Sequence, residues 1–317
     1  MFKEIIGQKQ AKARLQFLIK AGNKVKDGKL VNITQPVMLI ASKGAGKTTM
    51  AKAFVDSMLD QDGHQRFQIG LNGAQLKNNT DFVNLVLRPM QEQDCVVCFV
   101  DEAHDVSKSI QTRLLSVFNV EDSPIRIFKF QDEEFEIDLR KHCFVFATTN
   151  AENVLPPLLE RFTEVQLKFY SDKEIKQILD FKIDKLKINA CPKVIQLVSI
   201  ESRQSPREAM HNVAELSRLS SVLDKKIQVK DWQDHCNHQG FLPLGLKEGE
   251  LNTLRSVCNH GEVALGVIAS ELNCSSASVK DVYEPYLLNR GMIRRDGKRI
   301  ATEAGRAALA YAEKVLA

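Results

Sequence analysis

Two short stretches carry residues whose types and spacing could do phosphate chemistry. The first, Ala41-Ser42-Lys43-Gly44-Ala45-Gly46-Lys47-Thr48, follows an apolar run and opens a helical pattern, the setting a phosphate-binding loop requires. Gly44 and Gly46 let backbone N–H groups close on phosphate oxygens, with Ala45 and Thr49 continuing the same backbone. Lys47 can reach the outer phosphates and the Thr48 hydroxyl can ligate Mg²⁺. The first position of the G-x-x-x-x-G-K-[ST] pattern is Ala41 rather than Gly, a small cost where the backbone stays extended. The second stretch is Asp101-Glu102-Ala103-His104, placed directly after the apolar run Val96 to Val100. There Asp101 can hold the Mg²⁺ shell, and Glu102 can polarise a water for attack. His104 is expected to pack or cap locally. Together the two stretches point to a bound nucleotide with Mg²⁺.

Those groups need a scaffold that brings strand ends together. Candidate strands are Val37 to Ala41, Phe67 to Gly70, Val96 to Val100, Cys143 to Ala147 and Val165 to Phe169. Amphipathic helical stretches lie between them, such as Ser107 to Asn119, in which Ile110, Leu114, Val117 and Phe118 share one face. Alternating strands and helices predict an α/β fold whose parallel sheet is covered by helices on both faces. At Ser171 the pattern changes. Ser171-x-x-Glu174 is a capping box, and only helical periodicity follows it as far as about His238. A break at Gln239-Gly240 precedes three short helices and a two-stranded ribbon, Ile293 to Arg295 and Lys298 to Ala301, turned by Asp296-Gly297. That outline is a winged helix. The expected domains are a nucleotide-binding lobe over 1–170, a helical lid over 171–239 and a winged helix over 240–317.

Composition sets the limits on function. With 44 Lys and Arg against 40 Asp and Glu, the net charge of the 317 residues is only +4, so any nucleic-acid surface must be local. No stretch approaches the roughly 18 apolar residues of a membrane span, so a cytoplasmic protein without a membrane role is expected. The seven cysteines are scattered and odd in number, which predicts reduced thiols rather than a disulfide framework. Cys95 and Cys98 lie three apart in a strand, on opposite faces, and so do not form a thiol pair. His235, Cys236, His238, Cys258 and His260 do not match paired metal-ligand spacing and read as polar positions.

The order of motifs carries a family resemblance. Ala147-Thr148-Thr149-Asn150 is followed by Leu158-Leu159-Glu160-Arg161-Phe162, then by Ser205-Pro206-Arg207, and this order resembles the AAA+ ATPases. Gly7-Gln8-Lys9-Gln10-Ala11-Lys12, Leu167-Lys168-Phe169-Tyr170, Ser202-Arg203-Gln204-Ser205-Pro206-Arg207 and Asp281-Val282-Tyr283-Glu284-Pro285-Tyr286-Leu287 narrow it to the RuvB family, the motors of Holliday-junction branch migration. The resemblance spans nearly the whole chain. It implies that Thr149 or Asn150 is the sensor that positions the attacking water. It also implies that Arg161 is a finger reaching a neighbouring subunit's nucleotide, and that Arg207 is the lid residue on the γ phosphate of its own subunit. A finger supplied in trans implies a homo-oligomeric ring, in this family a hexamer. The chain departs from the family at Ser42-Lys43, where Pro-Pro is usual, and at Asn150 and Leu159, where Arg is usual. It also lacks the Arg-Pro segment ahead of Gly7, so Ile5 and Ile6 are expected to supply the apolar surface for adenine. These departures suit a divergent or mobile-element relative. Helicases named for the letters D-E-A-H need two tandem lobes, and a single lobe excludes them.

Two surfaces remain. Between Arg290 and Arg306 six basic residues face two acidic ones. Arg294, Arg295, Lys298 and Arg299 are expected to meet duplex or four-way-junction DNA through phosphates, independent of sequence. Ile125 to Phe130 and Phe135 to Leu139 alternate as a hairpin around an acidic turn, Gln131 to Glu134. The resemblance assigns that hairpin to a RuvA-like junction-binding partner, through Ile125, Ile127, Phe128 and Phe130. The expected function is an ATP-driven DNA motor. The alternative is a clamp-loader or helicase-loader type switch that binds DNA and recruits a partner.

Overall fold

Four strands, Val37–Ile40 (β1), Phe67–Asn72 (β2), Val96–Asp101 (β3) and His142–Thr148 (β6), form most of a five-stranded sheet. The computed structural model describes residues 2–119 and 123–316. The chain folds as two compact units, divided between Phe169 and Tyr170. In the first unit the sheet runs β2-β3-β6-β1-β7, all pairs parallel, with Thr163–Gln166 as β7. The strand expected over Val165 to Phe169 therefore begins two residues earlier. It pairs with β1 only from Val37↔Thr163 to Ile40↔Gln166, because β1 is four residues long.

Successive side chains of a strand point to opposite faces, and both faces are buried along β1, β3 and β6, while the edge strand β2 is largely exposed. Val37, Leu39, Val97, Phe99, Val145 and Val165 pack under Lys9–Gly22 (α1) and Lys47–Val55 (α2). Met38, Val96, Cys98, Phe144 and Phe146 face Lys108–Val117 (α3) and the helical run from Asn79 to Glu92. Ile110, Leu114 and Val117 of α3 are each 0% exposed, as their shared helical face predicts. Each side chain of this kind stabilises by about 1.5–3 kcal/mol through the water it leaves. The second face also takes one side of a hairpin, Ile125–Phe130 (β4) and Glu133–Asp138 (β5), through Phe128, Phe135 and Ile137. Its turn is shorter than expected: Phe130 pairs with Glu133, so only Gln131 and Asp132 lie outside the ladder.

The second unit holds two separate cores. One belongs to four helices, Asp172–Lys185 (α4), Pro192–Glu201 (α5), Pro206–Val222 (α6) and Val229–Gln239 (α7). The expected capping box starts α4, with Ser171 Oγ accepting from Glu174 N at 3.3 Å and Glu174 Oε2 accepting from Ser171 N at 2.9 Å. Gly240, at φ 71, ends α7 where the sequence breaks. The other core is built by Glu248–His260 (α8), Leu265–Glu271 (α9), Glu284–Asn289 (α10) and a three-stranded wing. The wing adds Glu262–Val263 (β8) to the expected ribbon, Ile293–Asp296 (β9) and Lys298–Ala301 (β10). A final helix, Glu303–Leu316 (α11), adds to the expected elements. It docks so closely that a Cβ at Gly305 would lie 2.0 Å from the Met292 carbonyl oxygen.

A cavity of about 620 Å³ lies in this second unit beside Glu201, whose Oε2 accepts from Trp232 Nε1 at 2.8 Å. Burial pushes the Glu201 carboxyl up from 4.5 to about 7, against the pull of the Trp232 hydrogen bond. The folded state thus holds this proton more tightly than the unfolded chain does. The resulting stability is complete below pH 4.5 and is lost as pH rises to about 7. A Glu201→Gln variant is expected to be more stable than the parent at pH 8, by roughly 1–3 kcal/mol, and to lose that advantage by pH 5. Thermal denaturation at the two pH values checks this.

Candidate nucleotide site

Parallel register sets the site. Ile40 pairs with Thr148 and Val100 with Phe146, so the chain leaves β1, β3 and β6 at one edge of the sheet. Ligands of open parallel sheets bind outside these carboxyl ends. The loop after β1 is held at both ends. Ala41 N donates to the Thr148 carbonyl at 3.3 Å, and Ala45 N to the Ser42 carbonyl at 3.2 Å. Gly44 and Gly46 take φ 82 and 87, the left-handed region that a side chain disfavours. Ala41 is not among the positive-φ residues, so its methyl is tolerated, and it is buried at 5% exposure. Gly46 ends the loop and α2 begins at Lys47, so the N–H groups of the first turn and the positive end of the helix dipole face the same point.

The side chains are poised on this frame. Lys47 is buried, with its Nζ 3.3 Å from the Ala41 carbonyl oxygen. Thr48 Oγ1 donates to Asp101 Oδ2 at 2.8 Å, and Asp101 Oδ1 accepts from Glu102 N at 3.0 Å. A hydroxyl and a carboxylate in contact are a hard-oxygen donor pair that fits Mg²⁺, which keeps most of its waters and needs few protein ligands. Glu102 is half-buried in a left-handed conformation, φ 50 and ψ 52. Thr149 Oγ1 donates to Glu102 Oε2 at 3.4 Å, and Asn150 lies half-buried beside it, its N donating to Thr148 Oγ1 at 3.1 Å. Ile5 and Ile6 are half-buried, and Ile5 packs against the core under α1 and α2. Thr49 is exposed on α2.

Three further residues of this site have no role in it that the sequence alone assigns. His104 Nδ1 lies 3.0 Å from Thr148 Oγ1 and 3.5 Å from Glu102 Oε2, so it packs locally and also touches the acid. Gly73 lets the chain pass beneath Glu102, where an added Cβ would lie 2.3 Å from the Glu102 carbonyl oxygen. Gln8 clasps Lys168 with two bonds, donating from Nε2 to its carbonyl at 2.7 Å and accepting from its N at 3.0 Å. A left-handed Gly7-Gln8 pair, φ 69 and 50, precedes α1 at this clasp. The Gly7-Gln8 and Leu167-Lys168 motifs contain this pairing, but a contact across 160 positions leaves no periodic signal.

Other assigned residues fall elsewhere. Arg161 Nη1 donates to the Pro157 carbonyl at 2.5 Å, while its Nε is buried without a hydrogen-bond partner among the described residues. Arg207 is the second residue of α6 and is exposed. Two groups need correction. Arg299 is not on the wing surface. It is 6% exposed, with Nε donating to Glu284 Oε1 at 2.5 Å and Nη2 to Oε2 at 3.1 Å, because alternation along β10 turns it inward while Lys298 points out. Phe128 and Phe130 do not share the outer face of the hairpin with Ile125 and Ile127. Phe128 is 2% exposed with its ring 5.4 Å from that of Phe82, and Phe130 packs against the same core, whereas Ile125 and Ile127 are 37% and 53% exposed. The acidic ribbon is also partly neutralised, since Glu133 pairs with Arg88 at 2.9 Å and Glu134 with Lys129 at 3.0 Å.

The thiols lie apart from this chemistry. Cys98 and Cys143 are buried in the sheet, which pushes both up to about 12. His235 and His260 are engaged by Glu215 and Glu271 at 3.1 and 2.6 Å.

A phosphate loop, an acidic pair and a polar strand end at one edge of a parallel sheet, with four lid helices and a winged helix following, define an AAA+ P-loop ATPase. Residues 1–168 match the family model for the Holliday junction DNA helicase RuvB P-loop domain, and residues 243–310 match the RuvB C-terminal winged helix domain. The chain belongs to the RuvB family. It is 30% identical over 311 residues to the Holliday junction branch migration complex subunit RuvB of Campylobacter curvus, covering 95% of this chain and 87% of that one. The corresponding subunit of Thermosipho melanesiensis is 30% identical over 307 residues, covering 95% and 94%. In fold it resembles the Thermotoga maritima RuvB Holliday junction branch migration motor, with a TM-score of 0.71 at 24% identity over 96% of this chain and 95% of that one.

Two substitutions test the geometry. Glu102→Gln removes the carboxylate expected to act as base while keeping the side chain's shape, and is expected to lower ATP turnover by about 10²–10⁴-fold while ATP binding is kept. Gly73→Ala must displace the Glu102 backbone, and is expected to reduce turnover although residue 73 offers no catalytic group. Steady-state ATPase and equilibrium nucleotide binding read both.

Proposed function

We propose that the chain is a ring-forming motor, hexameric as the family resemblance implies, that couples ATP hydrolysis to movement along duplex DNA and to branch migration of Holliday junctions in recombination and repair. The observation that carries this is the pairing of a complete hydrolytic edge with an exposed basic wing on one chain, in the same order as relatives named for branch migration. Thr48 and Asp101 would hold Mg²⁺, which would neutralise charge on the phosphates. Lys47 and the N–H groups of Gly44 to Thr48 orient the triphosphate, and Ile5 and Ile6 border the adenine. Glu102, held by Thr149 and neighboured by His104, takes the proton of the attacking water, and Thr149 with Asn150 orients that water.

Arg161 is the finger given to a neighbouring subunit's nucleotide. Arg207 is the residue the lid offers to the γ phosphate. A cation in the first turn of a helix opposes the helix dipole, so it is placed there for something other than helix stability. The domains divide as 1–170, 171–239 and 240–317. Arg294, Arg295 and Lys298 meet DNA phosphates, and the outer hairpin face of Ile125 and Ile127 receives a RuvA-like junction-binding protein in the cytoplasm. No helix among the described residues is long and apolar enough to cross a membrane.

The test compares ATPase activity with and without linear duplex and four-way junction, followed by branch-migration assays. Stimulation by DNA and junction movement abolished by Glu102→Gln are expected. Stimulation without movement would favour the loader-type switch, and no response to DNA would end the motor reading. Arg161→Ala is expected to lower turnover by about 10³-fold or more with nucleotide affinity unchanged. Arg294→Ala with Arg295→Ala is expected to weaken duplex binding and to flatten its salt dependence by roughly two counterions.

A further inference from the structure

The segment that delivers Arg207 has an unusual backbone. Arg203 and Gln204 are consecutive non-glycine residues in the left-handed region, φ 54 and 56, directly before the cap Ser205 and the first turn of α6. Strain of this kind persists only where the surroundings over-determine it. Here the surroundings are the winged helix. Arg203 Nη1 donates to Glu250 Oε2 and to the Gly245 carbonyl, and Nη2 donates to Glu250 Oε1, each at 2.6 Å. The guanidinium also lies over the Tyr286 ring, with Cζ 3.8 Å from its centroid.

The groups that receive Arg203 are themselves fixed. Glu250 is 1% exposed and accepts from the Lys247 backbone at 2.8 Å, and Tyr286 donates its hydroxyl to the Leu244 carbonyl at 2.6 Å. Gly245, at φ 67, approaches the end of α5 so closely that a Cβ would lie 2.3 Å from the Glu201 carbonyl oxygen. Gln204 is held as well, its Oε1 accepting from Asn289 Nδ2 at 2.8 Å. Burial by itself would lower the Arg203 pKa, but the Glu250 carboxylate outweighs it and holds the group above its ordinary value.

We infer that Arg203 is a positioning residue: it clamps the segment carrying Arg207 to the winged helix, so that the presentation of Arg207 is set by Glu250 and Tyr286 at the opposite end of the clamp. The inference rests on the reading of Arg207 as the lid residue on nucleotide. A bidentate, stacked guanidinium transmits orientation as well as charge, which a lysine cannot do. A change in the pose of the winged helix would then reach the nucleotide through the short backbone from Arg203 to Arg207.

A double-mutant cycle on the full chain tests this, read by single-turnover ATP hydrolysis and nucleotide affinity. Arg203→Ala is expected to slow hydrolysis about ten- to hundredfold in the parent and less than about twofold in the Arg207→Ala background. Arg203→Lys is expected to behave like Arg203→Ala, and Glu250→Gln to reproduce most of the loss from the winged-helix side. Equal losses in both backgrounds overturn the clamp, because a general loss of folding would act whether or not Arg207 is present. Normal hydrolysis in Arg203→Ala also overturns it. Hydrolysis unchanged by Arg207→Ala would remove the underlying reading of Arg207, and the clamp with it. An additive cycle with an impaired Arg207→Ala would remove the clamp alone.

Discussion

Everything at the nucleotide site depends on parallel pairing of β3, β6 and β1. Three strands far apart in the chain end at the same edge because their registers agree, Val100 with Phe146 and Ile40 with Thr148. The pairing lets Thr48 meet Asp101 across 53 positions and Thr149 meet Glu102 across 47. A slip of one residue would turn every side chain of a strand to the opposite face. The two apolar cores on either face of the sheet therefore protect the chemistry, since they penalise any other register.

Four of the ten non-glycine residues at positive φ among the described residues lie beside the nucleotide site or in the segment before Arg207. Glu102 and Gln8 in the first unit, and Arg203 and Gln204 in the second, are all non-glycine residues at positive φ. Each such residue costs about 1–3 kcal/mol and is held by specific partners: Thr149 and His104 for Glu102, Lys168 for Gln8, Glu250 and Tyr286 for Arg203, Asn289 for Gln204. In the second unit those partners connect the lid helices to the winged helix.

Charge behaves differently once burial is known. The six basic residues between Arg290 and Arg306 are not one surface. Arg299 is buried against Glu284, Arg290 pairs with Asp172 at 2.9 Å, and Arg306 donates to the Cys258 carbonyl at 3.3 Å. A buried pair of this kind adds little net stability over an apolar one, yet losing one partner is costly, on the order of 3–5 kcal/mol. Arg299 is thereby a structural residue of the wing, and the surface proposed to meet DNA narrows to Arg294, Arg295 and Lys298.

The sequence by itself determined what depends on short-range rules. The phosphate loop reads from glycine spacing, the strands from uninterrupted apolar runs, α4 from its capping box, and the end of α7 from Gly240. Period two also held the information that Ile125 and Ile127 part from Phe128 and Phe130, and that Arg299 parts from Lys298. It could not say which side was the core, because alternation gives two faces and only packing chooses between them. Tertiary structure alone decided the Gln8–Lys168 clasp, the closeness of Gly73 to Glu102, the place of His104, the docking of α11 and the Arg203–Glu250–Tyr286 clamp. Most of these join segments far apart in the chain, and such contacts are fixed by the fold as a whole rather than by any local pattern.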